Sequence, residues 1–178
     1  MNELNNERYL HIGCGNVILP APFENLDTRE MAGVDHISDA YPLEFASETF
    51  DLVYSSHVLE HYEKKYTQSV INEWVRVLKK GGRIRLSVPS FERMIEIYQK
   101  TGDLEMIIGP LMGGQTYKEN FHYNAFDTKK LTGMLENAGC EAVHTWDHRR
   151  TCHSKYFDFS QALTYEIPIS LNLEARKI

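Results

Sequence analysis

Long apolar runs are missing from this chain. No segment approaches the roughly 18 consecutive apolar residues that a membrane-crossing helix requires. The first residues, with Asn2, Glu3, Asn5, Asn6 and Glu7, are polar, so a soluble cytoplasmic protein with no membrane partner is expected. Cysteine is scarce as well. Cys14, Cys140 and Cys152 make an odd number with no Cys-x-x-Cys spacing, which indicates neither a disulfide framework nor a thiolate zinc site and leaves reduced thiols. Positive charge is in deficit: a formal net charge of -6 and an isoelectric point near 5.7 argue against nucleic acid as main partner, because a phosphate backbone needs a basic face. Internal repeats, linkers and low-complexity tracts are lacking too, so one domain over residues 1–178 is expected. Its 42% apolar and 11% aromatic content suffices for one packed core.

What is present starts at Tyr9-Leu10-His11-Ile12-Gly13-Cys14-Gly15, a short apolar strand that ends in two glycines. An open α/β sheet receives nucleotide-like ligands at such a transition, because glycine accepts positive φ and lets the backbone approach where a Cβ would repel. A plain turn explains the pair equally well, since the dinucleotide pattern wants a third glycine where Ile18 stands. Pro20 and Pro22 then forbid a regular helix. Phe23 to Asp27 reads as a second strand, too close to the first for a full parallel crossover. The first crossover helices are therefore expected to be shortened and one sheet face thinly covered, by the arm of residues 1 to 7, by the C-terminal segment or by a second subunit of a homodimer.

Further strands are predicted at Val34 to Asp39, Phe50 to Ser55 and Arg83 to Val88, with a helix beginning within His57 to Tyr62. Helical spacing of Val70, Ile71, Trp74, Val75 and Leu78 predicts a helix from Thr67 through Lys79 and Lys80 to the stop Gly81-Gly82. Phe91, Met94, Ile95 and Tyr98 predict one buried face of a helix stopped near Gly102, and Leu104 to Asn120, the least regular part, is a candidate lid. Asp127 is placed to cap a helix whose Leu131, Met134, Leu135 and Ala138 form an apolar stripe ending at Gly139. Glu141 to Trp146 reads as a sixth strand, Ser154 to Thr164 as a helical turn or two, and Ile167 to Ala175 as a closing strand in a hairpin with the sixth.

The order of these features resembles the class I S-adenosylmethionine-dependent methyltransferases, especially small bacterial members linked to saccharide pathways. The likeness runs over about residues 9 to 150. It is carried by Leu-His-Ile-Gly-Cys-Gly at 10 to 15, Asn-Leu-Asp at 25 to 27, Asp-Ala at 39 to 40, Phe-Asp-Leu-Val-Tyr-Ser-Ser-His-Val-Leu-Glu-His at 50 to 61, Val-Leu-Lys-Lys-Gly-Gly-Arg at 77 to 83, and the helix with its Gly-Cys end at 126 to 140. The resemblance implies an α/β, Rossmann-like three-layer sandwich, a mostly parallel seven-stranded sheet with an antiparallel last strand, and S-adenosyl-L-methionine across the strand carboxyl ends. It implies that Gly13, Cys14 and Gly15 cradle the methionine and ribose portions, that Asp27 accepts the ribose hydroxyls, that Asp39 and the Ala40 N–H take the adenine, and that Ser56 sits beside the methionine end. His11 stands where the family often has an acid, and Val17 where it often has a third glycine.

Methyl transfer is an in-line displacement at a sulfonium, so the protein chiefly supplies alignment, worth up to roughly 7 to 11 kcal/mol in well-oriented cases. The expected acceptor is a small molecule or saccharide, methylated at oxygen. A hydroxyl must lose its proton, and His61, then His57, then His122 are the candidate catalytic bases, because imidazole titrates near neutral pH. Arg149 and Arg150, in the basic run after the sixth strand, could fork an acceptor phosphate or carboxylate, with solvated surface as the plainer reading. Two other functions compete. One is a non-catalytic S-adenosylmethionine-binding module. The other is a zinc hydrolase, because His57-Val58-Leu59-Glu60-His61 spells H-x-x-E-H; that site needs both histidines inside one long helix, whereas an apolar strand ends just before His57, and no metal ligands are assigned.

Overall fold

The computed structural model describes residues 7–178, so the N-terminal arm, apart from Glu7, lies outside the described residues. Alternating apolar segments form strands β1 (Tyr9–Ile12), β2 (Phe23–Asp27), β3 (His36–Ile37) and β4 (Phe50–Ser56), the first two with the bounds expected from sequence. A 3-10 turn at Leu59–His61 and helix α1 (Thr67–Arg76) lead into β5 (Leu78–Pro89). Helices α2 (Phe91–Thr101), α3 (Glu105–Met112) and α4 (Thr128–Asn137) precede β6 (Cys140–Thr145). A small ribbon of β7 (Leu163–Thr164) and β8 (Ile167–Pro168) then feeds β9 (Ser170–Lys177).

The main sheet has the order β3-β2-β1-β4-β5-β9-β6. Its strands run parallel except β9, which is antiparallel to both β5 and β6. This is the expected Rossmann-like fold with a seven-stranded sheet and an inverted last strand. The order reverses between β1 and β4, so the carboxyl ends of these two strands flank a crevice of the kind that receives ligands in open α/β sheets.

Period-two alternation divides the sheet into two faces. Leu10, Ile12, Val53, Ile84, Leu86, Val88, Leu171, Leu173 and Ala175 share a buried cluster with Val70, Ile71 and Trp74 of α1 and Leu131 and Leu135 of α4. Asp127 caps α4 as expected, its side chain accepting from the Lys130 N–H at 2.7 Å. On the other face Tyr9, Phe23, Leu52 and Tyr54 pack with Leu19 and Trp146 against Val17 and Tyr156.

That second face carries the first correction. The early crossovers are not merely shortened: no α-helix stands between β1 and β4. The connection 13–22 is too short for one and holds both prolines. Of the three covers considered, the C-terminal segment supplies it, with Trp146, His153 and Tyr156 laid over the sheet. Trp146 donates its indole N–H to the Leu86 carbonyl at 3.0 Å, and Tyr54 donates its hydroxyl to Asp158.

Two helices also differ from their sequence reading. Helix α1 stops at Arg76, not at Lys80, because Leu78 pairs with Phe50 and Arg83 with Leu52, which draws residues 79–82 into a bulge of β5 with Gly81 at φ +76°. In α2 the buried residues are Met94 and Ile97, packed on Ile107, Ile167 and Ile169. Phe91, Ile95 and Tyr98 are instead exposed. The candidate lid contains α3, and the loop after it is stitched across the 3-10 turn by Tyr123 N–H to the Glu60 carbonyl at 2.8 Å.

Candidate active site

The glycine turn after β1 is shaped by its neighbours. Gly13 has φ +67°, and a Cβ there would lie 2.2 Å from Val58 Cγ2, so only glycine fits. The N–H groups of Gly13 and Cys14 both bond to the Leu26 carbonyl, at 2.8 and 3.0 Å, and that of Gly15 bonds to Asp27 Oδ2 at 2.8 Å. All three amides are thus used inside the protein. What this turn offers a ligand is room.

Asp27 closes β2 at the edge of that room. Its Oδ1 accepts from Arg29 N–H and Nε, both at 3.0 Å. Burial alone would push this carboxyl up, but the Arg29 side chain, the Arg29 backbone and the Gly15 amide outweigh it and hold it below the usual carboxylate range. Asp39 is exposed at the next strand end, with the Tyr41 N–H and the Tyr62 hydroxyl both donating to Oδ1, at 3.1 and 2.7 Å. Ala40 beside it is buried, its carbonyl accepting the Trp74 indole N–H at 2.8 Å.

Two adjoining cavities open on these residues. One of about 340 Å³ is lined by Asp27, Asp39, Ala40, Val58 and Tyr123. The other, about 710 Å³, is lined by His11, Cys14, Gly15, Ser56, His122 and Asp158. Gly13, Arg29, His57, His61 and Tyr117 border both, so a single ligand can lie across the glycine turn with its ends in different chambers. Both volumes fall in or near the range of small-molecule sites.

The three candidate bases gather at the larger cavity. His57 follows β4 with φ +56°, a costly conformation for a residue other than glycine. Its Nε2 lies 2.7 Å from Ser170 Oγ. His61 and His122 meet edge to face with ring centroids 4.8 Å apart. Burial pushes His57 down to about 3 and His122 to about 4, and lowers His61 too, so all three are neutral at pH 7. His11 is buried against Asn25 and stacked on Tyr54, and burial lowers it to about 4, so it brings a neutral ring where an acid was expected to help the cofactor.

The zinc-hydrolase geometry is not formed: His57 precedes the 3-10 turn, and the two histidines do not share a face of a long helix. Arg149 and Arg150 border neither cavity. They sit on a separate 3-10 turn, where the Arg149 fork is already closed on Asp147 at 2.7 and 3.0 Å. The Arg149 side chain is thus engaged within the protein, in line with the plainer reading of solvated surface.

Residues 10–86, the stretch that builds the glycine turn, both acidic strand ends and the histidine turn, match the family model described as a methyltransferase domain. Over that stretch the chain is similar to a methyltransferase domain. No curated protein matches its sequence. Among solved structures, the chain is similar to a Methanosarcina mazei S-adenosylmethionine-dependent methyltransferase, with 16% identity, TM-score 0.62, and 99% of this chain and 95% of that one covered. It is similar to the Burkholderia thailandensis 1,6-didemethyltoxoflavin-N1-methyltransferase, crystallised with 1,6-didemethyltoxoflavin and S-adenosylhomocysteine, at 15% identity, TM-score 0.61, and 95% and 70% coverage. A possible histamine N-methyltransferase of Thermotoga maritima gives 18% identity, TM-score 0.60, and 96% and 82% coverage.

The residues present fit S-adenosylmethionine, the cofactor of such domains: both cavities border the Gly13 turn, and the Ser56 hydroxyl on the larger one is buried without a hydrogen-bond partner. Sequence reasoning missed Arg29, Tyr62 and Tyr117 at the cavity walls; Glu60, noted only within the H-x-x-E-H pattern, lies buried behind them. A signal for Arg29 was its place two residues after the acid of β2, within fork distance of it. Nothing in the sequence marked Tyr117, which the loop after α3 brings in.

Proposed function

We propose that this methyltransferase transfers a methyl group to an oxygen of a small hydroxyl-bearing molecule, a saccharide among them, held in the larger cavity. The observation that carries the reading is the junction of the two cavities at Gly13, His57 and His61. A nucleoside suits the chamber of Asp27 and Asp39, which leaves the chamber of the histidines for the acceptor. The small-molecule acceptor named for the Burkholderia relative agrees with this in size class.

S-adenosylmethionine, when bound, supplies an electrophilic methyl on a sulfonium. Asp27 would hold the ribose hydroxyls, for which Arg29 must share or release its oxygens, and its lowered pKa keeps it ionised as an acceptor. Asp39 would take the adenine amino group on the oxygen that Tyr62 and Tyr41 leave open, with Ala40 beside it. Cys14, Gly15 and Ser56 would flank the methionine end. His61, His57 and His122 bring neutral imidazoles that can take an acceptor proton. Closure of Tyr117 and Tyr123 over the nucleoside chamber would exclude water.

Titration calorimetry with S-adenosylhomocysteine, followed by a methyl-transfer assay over hydroxylated, amine and thiol acceptors, tests the reading. Binding of the homocysteine product and turnover with a hydroxyl acceptor are expected. Binding with no turnover on any class would instead mark a non-catalytic module, and turnover on amines alone would move the acceptor atom to nitrogen.

A further inference from the structure

Glu60 is fully buried, and neither of its carboxylate oxygens meets a hydrogen-bond donor. Imidazoles stand around it instead. His57 Nδ1 is 3.4 Å and His122 Nε2 3.9 Å from Oε1. A carboxylate oxygen of Glu60, a nitrogen of His61 and a nitrogen of His122 all lie within 4.8 Å of one another.

Hydrogen bonds decide which ring nitrogens carry protons. Ser170 donates its hydroxyl to the Phe159 carbonyl at 2.7 Å, so its oxygen accepts from His57 Nε2, also at 2.7 Å. The His57 proton is therefore on Nε2, and Nδ1, facing Glu60, is bare. His61 Nδ1 donates to the Phe121 carbonyl at 3.1 Å and His122 Nδ1 to the Pro110 carbonyl at 2.9 Å. In both rings Nε2 is left without a proton. A buried carboxyl group facing bare nitrogens has acceptors around it and no donor from the protein, an arrangement that a cation would complete.

We propose that Glu60, His61 and His122 bind a divalent transition-metal ion of the zinc class at the wall of the larger cavity. One carboxylate and two imidazoles are a donor set for such an ion, and three protein ligands leave a position open to a substrate oxygen. The Nδ1–H bonds to backbone carbonyls are the outer contacts that orient ligating histidines. In a tetrahedral site the donors stand about 3.4 Å apart. The observed 3.9 Å between His122 and Glu60 needs only a small side-chain adjustment. The set differs from the H-x-x-E-H pattern, because Glu60 is a ligand here and the second histidine comes from the loop after α3.

The assignment rests on the methyl-transfer reading for its purpose. The ion would hold the acceptor oxygen, whose proton passes to the bare Nδ1 of His57. The oxygen lone pair forms the new C–O bond, the C–S bond breaks, and its electron pair stays on sulfur, turning the sulfonium into a neutral thioether.

Chelator-treated protein titrated with Zn²⁺ by calorimetry, and with Co²⁺ by visible absorption, tests this. One ion per chain is expected, with tetrahedral Co²⁺ bands, and Glu60→Gln and His122→Ala should each weaken the ion by at least about tenfold while S-adenosylhomocysteine still binds. No saturable uptake by the wild type, or unchanged uptake in both variants, overturns the site. Should a variant fail to fold, the wild-type stoichiometry and Co²⁺ spectrum decide alone. Ion uptake without any S-adenosylhomocysteine binding would overturn the methyltransferase reading and leave the ion site standing.

Discussion

At the scale of single residues, the site depends on a few atoms whose absence or charge is exacting. Gly13→Ala would force a Cβ to 2.2 Å from Val58, at φ +67°, whereas at Gly15 the nearest atom to an added Cβ is Arg29 Nη2 at 3.6 Å. Gly13→Ala is therefore expected to lose S-adenosylhomocysteine affinity and thermal stability together. Gly15→Ala should cost only the backbone term of about 1 kcal/mol, and equal losses in calorimetry and thermal melts would contradict the steric account. Asp27→Ala removes a carboxylate that gathers charge-assisted bonds at the turn. A rise in the dissociation constant of S-adenosylhomocysteine of about tenfold or more is expected, since one such bond is worth about 1.5 to 3 kcal/mol.

At the scale of elements, capping and pairing set boundaries that periodicity alone misplaces. The Asp127 cap was visible in the sequence and is made; Asp127→Ala should cost about 1 kcal/mol and lower the melting midpoint by about 2 to 4 °C, with the cavities intact. The end of α1 was not visible. Four residues of helical pattern, Val77 to Lys80, lie beyond its last turn because Leu78 is worth more paired with Phe50 and buried than continuing the helix. The α2 face was misread for a related reason: Phe91, Ile95 and Tyr98 have the right spacing, but Ile97 and Met94 face the ribbon and α3, and no neighbour covers the other stripe among the described residues.

At the scale of the whole molecule, buried imidazoles link folding to pH. Burial lowers His11 and His153 to about 4, as it does His122, and His57 to about 3, all from an ordinary 6.5. Unfolding therefore takes up protons between these values, so the stability these groups confer is full above about 6.5 and is lost as pH falls through about 4. Glu60 acts the other way: burial pushes it up to about 8, so its contribution declines as pH rises between its ordinary 4.5 and 8. Four histidines against one carboxyl give a net fall in acid. The urea midpoint is expected to drop from pH 7 to pH 5, and a midpoint that holds or rises would contradict the burial of these rings.

By itself the sequence pointed to the fold class and to Gly13, Asp27, Asp39 and the three histidines as residues near one crevice, because local alternation and turn chemistry mark the strand tips and the order of motifs carries the family resemblance. Tertiary structure alone decided which partners those residues meet. Contacts between segments far apart in sequence brought Tyr117 to the cavity, laid Trp146 and His153 over the bare sheet face, and carried His122 to Glu60. Burial is a property of the assembled layers, so neither the neutral histidines nor the donorless carboxylate could be read from spacing.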